Sequence, residues 1–467
     1  MNVTTLRAAQ YLIIVALWLA GVALAARRTP ALETAPIERA SLWKVTVLAF
    51  LLVAETLVEF AIVEVAALQQ LPFPARFSGL PLVPIDDSAP LFGHTASWIG
   101  ESVASLAVAQ SLTLALLFRA LHARTASRAA LFVLGGATCI MLGAALRTHA
   151  LGSSDLYLYV GHARLGAQAY APPPVRFEGE FGAINDVRGV PIYPALYGPV
   201  WLALGQVIAA GATSLAGQLQ AFRVFGALSF GACIVLLAAL RRSPAIVALF
   251  GLNPALIEQY VANGHNDLFP LALVLAALAL VPRRAWLGWA LVVAAGAAKL
   301  PFAVAGLVAF VPLAGRGRRF AFAASAVLAA VGVTYAASGG MYFRTSQHMA
   351  ARITSDAITK GAHDVAIALA LVAVLVALAY RCFIPTASWS FLSLSTVLFP
   401  WYAVWGLPYA LVEDTLLPFF LGSLPVVTFL LASVYAPTPL SVALYLLAAV
   451  AAPALALRAF RVARAGR

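Results

Sequence analysis

Apolar runs follow one another along almost the whole chain, interrupted by short polar turns. They cover residues 8–26, 43–66, 98–120, 129–148, 219–240, 243–260, 266–282, 285–299, 301–314, 320–337, 363–381, 386–400, 402–415, 416–434 and 439–457. A helix needs about 20 apolar residues to cross a bilayer. The pattern therefore predicts an all-α polytopic membrane protein, a bundle of about 13–15 transmembrane helices, since several runs are too short for each to be a full crossing. The first run ends in small residues, as a cleavable leader does. Only Arg7 precedes it, however, and Arg27 and Arg28 follow, so it is read as a retained helix.

The polar turns fall into two kinds. One set is short and basic: Arg27, Arg28, Arg39 and Lys44; Arg119, Arg124 and Arg128; Arg241 and Arg242; Arg283 and Arg284; Arg316, Arg318 and Arg319; Arg381; and the tail Arg458, Arg461, Arg464 and Arg467. These turns hold 19 of the 30 Lys and Arg residues and should be cytoplasmic. The long segments 67–97, 149–218 and 338–362 then face outward. Between an outward 149–194 and an inward Arg241–Arg242 only one crossing fits, yet two apolar runs stand there, 195–212 and 219–240. The first opens YPALYGPVW, rich in Pro, Gly and aromatic residues, and is assigned to an interfacial or re-entrant helix on the outer face. Residues 149–218 thus form a long folded outer loop containing juxtamembrane helices, and loops of that length are usually functional. Residues 1–125 hold about three helices and read as an N-terminal transmembrane extension; residues 126–467 carry the motifs.

Composition sharpens the class. The chain is 63% hydrophobic and 10% charged with a mean hydropathy of +0.92, which excludes an ordinary soluble domain. The net charge of +12 resides in the basic turns, so it argues for membrane orientation and against nucleic acid as a partner. Cys139, Cys233 and Cys382 form no CxxC pair, which leaves neither a disulfide framework nor a thiolate metal site. GxxxxGK[ST], GxGxxG and HExxH are all absent, so neither a nucleotide-sugar donor nor an ATP-driven pump is supported. His265 with Asp267 is too small a set to argue for a metal.

Polar residues gather where helices reach the outer side. SSDLYLYVGHARL carries Asp155, Tyr157, Tyr159, His162 and Arg164. LNPALIEQYVANGHND carries Asn253, Glu258, Asn263, His265, Asn266 and Asp267. GAAKLPF places Lys299 at a helix end, and FPWYAVWGLPY adds Tyr402 and Trp405. The segment 338–362 adds Arg344, His348, Arg352 and Lys360; if it is helical, the first three form one cationic stripe. Separate helices have no reason to place polar groups at one depth unless they share a cavity, and ionisable groups there are functional candidates. Each cluster also has a plainer explanation. Tyr157, Trp401 and Trp405 suit an aromatic belt, GHND suits a capped turn, and Lys299 could reach the headgroups. The Arg344 stripe suits a phosphate and equally an anionic lipid surface. Glu55, Glu59 and Glu64 of the second run either contact the core or pair structurally.

In their order along the chain, SSDLYLYVGHARLGAQAYAPPP, YPALYGPVW, LNPALIEQYVANGHND, AAKLPF and PWYAVWGLP resemble the GT-C superfamily of polyprenyl-phosphate-sugar-dependent glycosyltransferases. The likeness covers roughly residues 129–430 and is greatest to bacterial α-mannosyltransferases that use polyprenyl-phosphate-mannose. It implies an integral enzyme of the cytoplasmic (inner) membrane with its active site on the extracytoplasmic side. The sugar, a hexose such as mannose, would pass from the lipid phosphate to a glycan or glycolipid acceptor, with inversion and without a cofactor. Asp155 matches the acid of the first outer loop and would be the general base. Lys299, Arg344 and Arg352 would bind the donor phosphate. Tyr157, Tyr159, Arg164, Tyr197, His265, Asn266, Asp267, Tyr402 and Trp405 would contact sugar, lipid or acceptor. A boundary carboxylate is expected to have a raised pKa. The three helices before residue 129 depart from the simplest layout of that superfamily. The rival is a transporter or flippase of a lipid-linked or small polar substrate, which would show inverted repeats with matched broken helices; none is evident.

Overall fold

A computed structural model describes residues 35–36, 39–70, 96–121, 124–125, 127–149, 154–240, 244–305, 309–310, 313 and 315–353. The expected helix at 8–26, the runs from 363 onward, Lys360, Tyr402 and Trp405 lie outside the described residues. The helices, in chain order, are α1 (Arg39–Gln70), α2 (Ala96–Leu121), α3 (Arg128–Ala145), α4 (Asp155–Leu165), α5 (Gly182–Arg188), α6 (Pro199–Ala210) and α7 (Leu215–Leu240). They continue with α8 (Pro244–Gly251), α9 (Pro254–Ile257), α10 (Leu268–Leu280), α11 (Ala285–Ala298), α12 (Arg316–Ser338) and α13 (Met341–Ile353). One pair of two-residue strands, β1 (Ala35–Pro36) and β2 (Arg124–Thr125), runs parallel and joins the start of α1 to the α2–α3 turn.

Five of the described helices are long and apolar enough to cross a membrane: Leu42–Ile62, Glu101–Leu121, Arg128–Ala145, Leu215–Leu240 and Gly317–Ser338. The protein is a multi-pass membrane protein, helical in its described elements apart from that short strand pair. Its outer surface agrees with that solvent. Phe132 is 84% exposed, and Trp43, Leu228, Val235, Phe320 and Leu328 also project from these helices. Lipid does not penalise such apolar faces, because inside the bilayer the helix need only satisfy its own backbone.

Local sequence sets the helix limits. Ser127 caps α3 by accepting the Ala130 N–H at 3.1 Å. Pro199 opens α6 and Pro254 opens α9, where the absent N–H is not missed. The run expected as one helix over 243–260 is divided instead. Asn253–Pro254 separates α8 from α9, and α9 continues as a single wide π turn, Glu258–Ala262. The runs 266–282 and 285–299 become α10 and α11, of 13 and 14 residues. At 1.5 Å per residue each is about 20 Å long, less than the hydrocarbon core. The expected helix at 301–314 starts as a short 3-10 stretch, Leu300–Ala305, because Pro301 cannot continue α11. The 338–362 segment is helical as far as Ile353 and forms α13.

One apolar core joins α1, α2, α3, α7, α8, α9 and α10. A second lies within the loop that follows α3, where Tyr157, Tyr159, Trp201 and Phe222 pack together. The run expected at 195–212 there becomes α6, 12 residues long. A third core joins α10, α11 and α12. The end of α3, the α9–α10 junction and the end of α11 come together: Arg223 of α7 bonds to Ala145 O, Thr148 O and Val261 O, and Asp267 meets Lys299.

Candidate active site

Asp155 is the first residue of α4, where the helix dipole favours a negative side chain. Its side chain is 26% exposed, so it stands at the edge of the packed loop. The next five residues, Leu156 to Val160, are all buried, which fixes α4 against its neighbours and holds Asp155 in place.

Three other segments converge on this carboxylate. Arg188, the last residue of α5, donates from Nη2 to Asp155 Oδ1 at 3.1 Å and from Nη1 to Ser154 Oγ at 2.7 Å. Tyr197 donates its hydroxyl to Asp155 Oδ2 at 3.4 Å. His265 places Nδ1 3.3 Å from the same oxygen. The α9–α10 junction can deliver His265 because Gly264 adopts φ +67°, and a side chain there would overlap Leu156.

A second ion pair supports the first. Asp267, 1% exposed, precedes α10 and contacts Lys299, 8% exposed, through Oδ1 and Nζ. Lys299 Nζ also lies 6.0 Å from the centre of the Tyr197 ring. The approach that makes this possible is tight. Gly198 donates its N–H to Ala298 O at 2.9 Å, and a Cβ on residue 198 would overlap the Ala297 carbonyl. Beneath lies an aromatic floor: Tyr159 meets Tyr197 and Trp201 edge-on, each at 5.2 Å, and Phe222 at 5.7 Å. Tyr170 donates its hydroxyl to Tyr197 O at 3.1 Å.

The electrostatics correct one expectation. Burial does push the Asp155 carboxyl upward. The hydrogen bond and electrostatic interaction with His265, then the charges of Arg188 and Lys299, outweigh it and hold the carboxyl well below the ordinary range. Asp155 is ionised at neutral pH. The Tyr159 hydroxyl moves the other way: burial, then the Tyr197, Asp155 and Asp267 charges, keep it protonated. His162 is pushed down to about 4 by burial, only partly opposed by its hydrogen bond to Tyr193 O at 2.8 Å.

Of the residues expected from sequence, Asp155, Tyr197, His265, Asp267 and Lys299 come together. Tyr159 sits in the floor, and Asn266 is buried in the same junction. Tyr157 is 1% exposed and belongs to the loop core, so it is not an interfacial belt residue. Lys299 does not extend to the headgroups; its partner is Asp267. Arg164 stacks over Phe181 with its guanidinium 3.7 Å from the ring centre, a packing contact away from Asp155. Arg344 and His348 are exposed on α13. Arg352 lies in the same helix, with its side chain outside the described set. Arg188 was missed. Its surroundings, GAINDVRGV, carry no motif, and its one signal is being a cation outside the basic turns. Among the described residues, no group of three or more His, Cys, Asp or Glu could hold a metal.

Residues 145–315 match the family model described as alpha-(1->6)-mannopyranosyltransferase, N-terminal domain. Asp155, Arg188, Tyr197, His265, Asp267 and Lys299 all lie inside that segment. The match accords with the likeness to polyprenyl-phosphate-mannose-dependent mannosyltransferases and supports glycosyl transfer with mannose as the sugar. Comparison with curated proteins and with solved structures gave no match.

Proposed function

We propose that this protein transfers mannose from a polyprenyl-phosphate carrier to a glycan or glycolipid hydroxyl on the outer face of the cytoplasmic membrane, with Asp155 as general base. The observation that carries the reading is one convergence. Five segments of the chain bring the partly exposed Asp155 carboxylate together with two cations, a histidine and a tyrosine.

The chemistry uses each group. The acceptor oxygen attacks C1 of the sugar while Asp155 takes its proton. The C1–O bond breaks with its electrons going to the phosphate, and the single displacement inverts C1. A phosphate leaving group is well served by cations in a poorly hydrated site. Arg188 and Lys299 are the cations near Asp155. A carboxylate with a depressed pKa is always ionised but is a weak base. The donor phosphate competes with Asp155 for Arg188, and as the guanidinium turns toward it, Asp155 becomes a stronger base. The Tyr159–Tyr197–Trp201 floor offers an aromatic surface for the sugar or the first isoprenes.

The test is Asp155→Asn in proteoliposomes supplied with labelled polyprenyl-phosphate-mannose. Loss of a general base lowers turnover by about 10²–10⁴-fold. The protein should remain folded, because Asn is isosteric and Arg188 keeps its bond to Ser154. Wild-type turnover by this variant would remove the mechanism, and uptake of intact substrate without cleavage would favour a transporter.

A further inference from the structure

Helix α1 reaches the lead-in to the active-site loop through the Glu64 carboxylate. Glu55 and Glu59 bond within the N-terminal pair of helices: Thr113 donates to Glu55 Oε1 at 2.9 Å and Gln110 to Glu59 Oε2 at 2.5 Å. Glu64 does otherwise. It lies toward the end of α1, outside the segment matched by the mannosyltransferase family, and uses both oxygens on one residue, His149. Oε1 accepts the His149 backbone N–H, and Oε2 lies 2.7 Å from Nδ1.

His149 is a sensitive place to hold. It ends the stretch that leaves α3, and Asp155 follows six residues later. Six residues span at most about 20 Å even when extended, so the position of His149 limits that of Asp155. The same stretch is gripped from its other side by α7. Arg223 Nη2 donates to the carbonyls of Ala145 and Thr148, and Gln220 Nε2 donates to Leu146 O at 3.1 Å. These carbonyls are the ones a helix end leaves without partners. Arg223 is 4% exposed, and its Nε lies 3.4 Å from Val261 O, four residues before His265. The two strands of chain that meet at the Asp155–His265 contact are thus tied behind it by one guanidinium, and Glu64 adds a hold on the Asp155 side through His149.

We propose that Glu64 is a positioning residue for the transfer reaction. By fixing His149 it sets where Asp155 stands against His265 and the bound donor, so α1 belongs to the catalytic unit. The inference rests on Asp155 being the base. It is distinct from a general packing role: Glu64 is 30% exposed, and its contact is made to the lead-in of the base.

The experiment measures kcat and both KM values for full-length protein in liposomes, with Glu64→Ala, Glu64→Gln, His149→Ala, the Glu64→Ala/His149→Ala pair and Asp155→Asn in parallel. Glu64→Ala should lower kcat by tenfold or more, with donor and acceptor KM within twofold and an unchanged thermal midpoint. Glu64→Gln retains an oxygen for the His149 N–H and should recover most of the rate. The double variant should be no slower than Glu64→Ala, because the two residues act as one link. Wild-type kcat in Glu64→Ala, a rise in KM at constant kcat, or a loss that disappears when rates are expressed per folded protein overturns the proposal. If Glu64→Ala does not fold, wild-type kcat in His149→Ala overturns it. An inactive Asp155→Asn beside a fully active Glu64→Ala defeats the positioning role alone. An active Asp155→Asn defeats the general-base reading and the positioning role with it.

Discussion

Lys299→Met separates an ion pair from its surroundings with little change in shape. Met keeps the unbranched apolar stem and removes the ammonium, so the cost is mainly electrostatic. Lys299 is 8% exposed and Asp267 1% exposed, and their charged atoms touch. Removing one partner of such a buried pair costs about 3–5 kcal/mol, because the other charge stays desolvated. Folded proteins have total stabilities of about 5–15 kcal/mol, so this is a large fraction. At about 2–4 °C per kcal/mol, the apparent thermal midpoint of the purified protein should fall by roughly 10 °C. Adding Asp267→Asn removes the stranded charge and should restore at least half of that loss, since neutral replacements of a buried pair are tolerated. The assay is the midpoint of all three proteins in one detergent, followed by tryptophan fluorescence. A Lys299→Met midpoint within about 2 °C of wild type would mean that the ammonium reaches the headgroups. A double variant as unstable as the single one would mean that Asp267 is not the group stranded.

Two further outcomes follow from the loop. His162 is pushed down to about 4 by burial, while the unfolded chain protonates near 6.5. As pH falls between those values the unfolded state binds the proton first, so stability is lost by about 3 kcal/mol, at about 1.4 kcal/mol per pH unit, and levels off below pH 4. Wild type should therefore lose more of its midpoint than His162→Gln between pH 7 and pH 4, and parallel curves would refute the assignment. Gly198→Ala drives a methyl group into the Ala297 carbonyl and should cost about 1–3 kcal/mol. Because Tyr197 and Lys299 flank that contact, transfer should fall as well; a fully active and stable Gly198→Ala protein would show that the α6–α11 approach is loose.

The membrane class and most of the helices described were legible in the chain because apolar length is a local property. A run over 219–240 can do little in water, and it is α7 in the fold. Of the run expected at 195–212, the structure makes a helix of 12 residues, α6. The same reading made one helix of 243–260, where the structure has α8, α9 and a π turn. Hydropathy averages over the Asn253–Pro254 break and cannot register a lost hydrogen bond.

Sequence alone also singled out Asp155, Tyr197, His265, Asp267 and Lys299, since polar residues amid apolar ones are conspicuous. It could not say which of them touch. Lys299 read as a phosphate ligand or a headgroup anchor until Asp267, 32 positions away, was found against it. Arg188 was invisible, because a lone Arg in a polar loop costs nothing locally and gains meaning only 3.1 Å from Asp155. The direction of the Asp155 pKa was misjudged for the same reason. Desolvation can be guessed from the position along the chain, whereas Coulomb interactions depend on distances between residues 33 to 144 positions apart. The sequence by itself determined what each helix must avoid or bury. The tertiary structure decided which charges face one another, because only the packing of α4, α5, α10 and α11 brings those distances down to contact.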